Sequence, residues 1–113
     1  MRLNEYLSVP YLLEAQTVEI APDSWVRRVA YPELPGCTAE ALVVEDALLA
    51  LERLRIETIV RMVGQGNPPP VPRPPLRNCD PAWVARQASV ASDIIALINR
   101  DRTATVDGRK HSY

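Results

Sequence analysis

Ten residues, NPPPVPRPPL from Asn67 to Leu76, constrain this chain more than any other stretch. Six of them are proline, and each proline holds φ at about −65° and lacks a backbone donor. The run therefore forms neither a helix nor a central strand and reads as an extended polyproline segment. It divides the chain in two. Residues 1–76 read as one domain with an N-terminal extension and the proline run at its end; residues 77–113 read as a C-terminal helix and a flexible tail. The PxxP spacings fit a ligand of SH3-type domains, but a rigid spacer pressed against the domain explains the same residues without a partner.

Before that run the chain changes period twice. In SVPYLLEA, Ser8 fits an N-cap and Pro10 the first turn of a short helix, with a strand over Pro10 to Ala15 as the competing reading. From Gln16 the pattern alternates, with Val18 and Ile20 on one face and Thr17 and Glu19 on the other, and it ends at the turn cluster APDS. A hairpin follows, whose second arm WVRRVAY sets Trp25, Arg27, Val29 and Tyr31 on one side and Val26, Arg28 and Ala30 on the other. Neither side is purely apolar, so one face of this arm is expected to be wet. In PELPG, Pro32 and Pro35 fix the chain and Gly36 can take angles closed to other residues, so the strand stops and turns there. CTAEA then reads as a third short strand returning beside the first two.

The longest coherent pattern is helical, from Val43 to Gly66, with Val44, Ala47, Leu48, Leu51, Leu54, Thr58 and Met62 at helical spacing. Glu45 and Asp46 in the first turn and Arg61 in the last complement the helix dipole, and Gly64 or Gly66 closes it. A second apolar line, Leu49, Ile56, Val60 and Val63, needs a further cover: the C-terminal helix, another subunit or a different protein. After the prolines, Asp80 and Pro81 form an N-cap and N1 pair for a helix to Arg100. Its apolar arc includes Trp83, Val84, Ile94, Ile95 and Ile98. Beyond it, DRTATVDGRKHSY shows no periodicity and reads as a tail.

Composition and spacing remove most catalytic classes. The net charge of −1 leaves no global basic field for nucleic acid. No stretch approaches the roughly twenty apolar residues that span a bilayer, and no signal peptide opens the chain, so a cytoplasmic protein is expected. Cys37, Cys79 and the single histidine, His111, lack the spacing of a zinc site, and both thiols are expected reduced. No phosphate-binding glycine loop occurs, and Glu45, Asp46, Glu52 and Glu57 are accounted for by solvation and pairing on a helix. Arg27, Arg28, Arg53, Arg55 and Arg61 read as scattered surface arginines without an aromatic ladder. The expectation is a protein with no catalytic residues, no metal and no cofactor.

Taken together, DSWVRRVAYPELPGCTAE, the helix VVEDALLALERL and the following GNPPPVP resemble the HicB-like antitoxin family of bacterial type II toxin-antitoxin systems. That pattern runs from a hairpin with an aromatic after the turn, through P-x-L-P-G-C, to a helix with an acidic-Ala pair and then G-x-x-x-P. Trp25, Pro32, Leu34, Pro35, Gly36, Cys37, Asp46, Ala47 and Gly66 fall at the matching places, over about Gln16 to Leu76. The N-terminal segment resembles the stand-alone branch of the family. The resemblance implies an α+β fold of partial RNase H-like type, three antiparallel strands with one packed helix, and no nuclease activity. It further implies a domain that masks a small basic HicA-like toxin, a messenger-RNA-cleaving protein, and that often self-associates. Three features depart from the pattern: Ala41 and Val43 stand where a glycine and a helix-capping threonine are usual, APDSW has no glycine, and the C-terminal helix shows neither DNA-binding pattern of the family.

The expected function is therefore partner binding, with Trp25, Arg27, Val29 and Tyr31 as contact residues, Pro32, Pro35 and Gly36 as the structural corner, and Trp83, Val84, Ile94, Ile95 and Ile98 as an oligomerisation or self-packing surface. A homo-oligomer is expected. The alternative is a dimeric DNA-binding regulator that pairs through Pro81 to Arg100 and touches phosphate with Arg102 to Lys110.

Overall fold

In a computed structural model, the backbone is described for residues 1–111 and side chains for residues 1–102. A short helix, α1 (Leu3–Leu7), precedes the strands β1 (Glu14–Ala21), β2 (Ser24–Ala30) and β3 (Thr38–Ala41). The long helix α2 (Val44–Gly64) and the C-terminal helices α3 (Pro81–Gln87) and α4 (Ser92–His111) follow. The three strands form one antiparallel sheet in the order β1-β2-β3, so the fold is α+β. Val18 pairs with Val26 and Thr17 with Arg27 across the first ladder, and Val29 pairs with Ala39 across the second. The hairpin without glycine closes because Asp23 itself takes φ 60° after Pro22, a left-handed angle that Asp tolerates better than most residues.

At the corner after β2, the N–H of Leu34 donates to the carbonyl of Tyr31 and that of Cys37 to the carbonyl of Leu34. The Tyr31 N–H then donates to the Cys37 carbonyl across the loop at 2.9 Å, and Gly36 sits at φ 72°. Pro32, Pro35 and Gly36 are exposed, while Leu34 and Cys37 point inward and are buried. This corner reverses the chain into β3 and brings α2 across β2 and β3, where Ala47, Leu51, Ile56 and Ile59 join the core. Val43 caps α2 with no side-chain bond, in line with the missing threonine. At the other end Asn67 donates to the Met62 carbonyl and Gly66 to that of Val63, with Gly66 at φ 72°: a Schellman cap that needs a left-handed residue there.

The proline run lies against the domain as a strap. The Tyr11 hydroxyl donates to the Pro70 carbonyl at 2.8 Å, and the Leu76 N–H donates to that of Ser8 at 2.9 Å. Arg73 forks onto both carboxylate oxygens of Glu33 at 2.8 and 3.1 Å and also reaches the Pro10 carbonyl. Glu33, in the middle of PELPG, accepts the Leu12 N–H as well, so one carboxylate ties the corner to two other segments. These bonds hold Glu33 below its ordinary value, the Arg73 guanidinium first among the causes.

The helices correct the sequence reading in four places. Ser8 is not an N-cap: α1 ends at Leu7 and Ser8 is its C-cap, its hydroxyl donating to the Asn4 carbonyl, while residues 9–13 form neither helix nor strand. The C-terminal helix is not continuous. Asp80 caps α3 as expected, accepting the Trp83 N–H, but Val90 donates to Ala85 and Ser89 to Arg86 in a second Schellman arrangement. There a serine, at φ 58°, does what glycine usually does. α4 then carries helix through His111, where the sequence had shown no periodicity; the side chains of residues 103–113, His111 among them, lie outside the described ones. Lastly, Arg55 is no surface arginine: only 7% of it is exposed.

Candidate functional site

Pairing across the ladders places Ala15, Thr17, Arg27, Val29, Ala39 and Ala41 on the sheet face that looks toward α2. The helix covers the β2–β3 half of that face and leaves the β1 half open. Because Ala15 and Thr17 are short, the uncovered half forms a groove of about 590 Å³ between the sheet and the start of α2. Thr17 and Arg27 line its floor, with the Arg27 guanidinium donating to the Thr17 hydroxyl, and Leu42, Val43, Val44 and Glu45 form its far wall. Leu42 is 76% exposed and Val43 50%, apolar surface that a folded chain rarely leaves clustered without use. Trp25, 52% exposed, stands on the same face farther along β2.

Charge distinguishes this part of the molecule. Residues 14–46 hold seven acidic residues against two arginines, a net −5 in a chain whose total is −1. One of the two arginines is already satisfied: Arg28, on the opposite face, donates to Glu40 at 2.6 Å. Arg73, from outside this stretch, offsets a further carboxylate at Glu33, and the remaining acidic excess gives the sheet and its rim a negative field suited to a basic surface.

The anticipated contact residues divide. Trp25 and Arg27 are exposed, but Val29, 1% exposed, is a core residue beneath α2 and contributes no contact surface. Tyr31 is half-buried, its hydroxyl donating to Glu52 at 2.5 Å. The physical reason is coverage: all four lie on one face, and α2 seals its Val29–Tyr31 end only. Among the residues expected to oligomerise, Ile98 is fully buried within its own chain, and Val84, Ile94 and Ile95 pack against the same core. Trp83 alone of that set is exposed. The second apolar line of α2 is likewise covered from within by α1 and α3, except for exposed Leu49.

Sequence reasoning missed a buried polar cluster behind the strap. Arg55 donates to both carboxylate oxygens of Glu52 at 3.1 and 2.9 Å and to the Leu7 carbonyl at 2.9 Å, joining α1 to α2. Burial pushes Glu52 up, but the Arg55 guanidinium and the Tyr31 hydroxyl outweigh it and hold the carboxyl below its ordinary value. Burial, followed by the bond to Glu52, raises Tyr31, so its hydroxyl stays protonated. A crevice of about 280 Å³ opens beside the cluster, lined by Tyr11, Leu76, Cys79 and Val84 among others. The only available hint was the i,i+3 spacing of Glu52 and Arg55. Burial also pushes the Cys37 thiol up to about 11, which leaves it a neutral thiol near pH 7.

Among the described residues no group of acidic, histidine or cysteine side chains is placed to hold a metal ion, and no helix is long and apolar enough to cross a membrane. A scan against models of protein families finds no match to this chain, nor do searches of curated proteins and of solved structures.

Proposed function

We propose that this chain is a HicB-like binding module, of partial RNase H-like fold, that masks a small basic protein by contact with the open half of its sheet. The reading is carried by one observation: the β1 half of the α2-side face is left uncovered, with exposed Trp25, Leu42 and Val43 set in a segment, residues 14–46, that stays net acidic after Arg73 has paired with Glu33. An apolar patch within an acidic field suits a cationic protein surface, with charge guiding encounter and the apolar residues supplying the contact energy. The sequence resemblance adds the chemistry of the partner, a messenger-RNA-cleaving toxin, and a non-catalytic role for this chain.

The test uses the tagged full chain in its own cells, beside a Glu14→Lys/Glu19→Lys/Glu45→Lys variant. One small basic protein should be retained by the natural chain at moderate salt and lost with the variant. Its RNA-cleaving activity should fall to background at one equivalent of the natural chain. Retention by both chains alike, or undiminished cleavage, overturns the reading.

A further inference from the structure

We propose that the partner is held by strand addition: a basic, extended segment pairs with the outer edge of β1 and sets alternate side chains into the groove beside α2. The inference rests on the function proposed above and states how the acidic surface takes its ligand.

β1 ends the sheet order, so the N–H and C=O groups of alternate residues along eight positions point away from β2. Seven of those eight residues are exposed. Such an edge is normally blunted by proline, lysine, a bulge or a covering segment. β1 contains no proline or lysine, and its register is continuous from Glu14 to Glu19, with the single irregularity at the hairpin end between Glu19 and Ala21. The other edge strand, β3, is half as long at four residues.

The guard that β1 does carry is acidic, and it selects the occupant. Glu14 lies on the face shared with Ala30, and Glu19 on the groove face opposite Trp25, so each face of the edge presents one carboxylate. A second copy of this chain would bring two such acidic edges together. A cationic strand is attracted along the same line. With strands spaced about 4.8 Å apart, every second side chain of the added strand would fall on the Ala15–Thr17 face, toward Leu42, Val43 and Val44. The ligand is therefore an extended peptide segment with basic residues interleaved with aliphatic ones. Backbone bonds would supply affinity, and the groove would read alternate side chains.

The probe is an octapeptide of alternating lysine and valine, compared with its glutamate-valine counterpart and with a lysine-valine version N-methylated at every peptide nitrogen. The lysine-valine peptide should bind the full chain and slow amide exchange within Glu14–Ala21. N-methylation, which keeps charge and side chains but removes the donors, should weaken it by at least about tenfold, and the acidic peptide should not bind. Equal binding of the methylated peptide, or binding without protection of β1, overturns strand addition and leaves the acidic contact surface standing. Equal binding of the acidic peptide overturns the charge reading beneath both proposals. Absence of lysine-valine binding, or protection of β1 that grows with protein concentration alone, also overturns the inference, the latter by naming a second copy as the occupant.

Discussion

Two segments of this fold meet water in opposite ways. The proline strap, residues 67–76, has few backbone donors to offer and is held almost entirely by side chains, through Arg73 on Glu33 and Tyr11 on Pro70. β1 keeps a full set of donors and acceptors on its outer edge and has little side-chain cover. A segment's backbone can thus be sealed or left available, and residue choice decides which. Proline removes the capacity to pair, whereas glutamate leaves it intact and restricts who can use it.

The contrast can be broken most severely on the sealed side. Arg55→Leu should cost roughly 3 kcal/mol, because it strands the Glu52 carboxylate and the Leu7 carbonyl at a buried junction. Denaturant unfolding would measure it, and a loss below about 1 kcal/mol would mean that water replaces the guanidinium. The fold can also be tightened, at the turn between α3 and α4. Ser89→Gly should add about 1 kcal/mol, since glycine adopts the left-handed angle at the end of α3 without steric cost; a lower melting temperature would contradict this.

Acid should loosen the strap and spare the edge. Glu33 is held below its ordinary value of 4.5, so its tie to Arg73 contributes fully above that value and is lost as pH falls through the lowered one. Glu33→Gln should remove this acid dependence and speed exchange at the Leu12 and Leu76 amides at neutral pH, with β1 amides unchanged. Unaltered exchange at both positions would show that the other strap contacts suffice. The smallest effect on folding is expected on the open side, where Trp25→Ala should change stability by no more than about 0.5 kcal/mol while weakening partner capture. A larger destabilisation would place Trp25 in the fold rather than at an interface.

Much of the frame was legible in local chemistry. The PELPG corner, the Asp80–Pro81 cap, the closure of α2 by one of two glycines and the apposed strap follow from residues with narrow backbone options. What escaped had no such marker. The break at Ser89 uses a residue that rarely takes a left-handed angle, so a continuous apolar period hid it. Arg55 looked like any helical arginine, because its burial depends on the Leu7 carbonyl 48 positions earlier. Val29 and Trp25 share a face by alternation, yet one is core and the other surface. Strand period assigns a face, but only the reach of α2 decides how much of it is covered. The groove belongs to the same class, since it is the space between Thr17 and Val44, residues that no sequence pattern links.

The contact between α1 and α4 bears on how the chain is made. Asn4 donates from its backbone and side chain to Asp101, 97 residues later, and from its amide to the Ile98 carbonyl. On a ribosome adding about 5–20 residues per second, α1 would wait roughly 5 to 20 seconds for these partners to be synthesised. During that interval the hairpin, the corner and α2 can assemble, but Leu3, Tyr6 and Leu7 lack part of their final cover. Arg55 can tie Leu7 to α2 early, but the contact of α1 with α4 would form late, and a nascent chain halted before residue 98 would leave Leu3, Tyr6 and Leu7 partly uncovered as an apolar flag for chaperones and proteases.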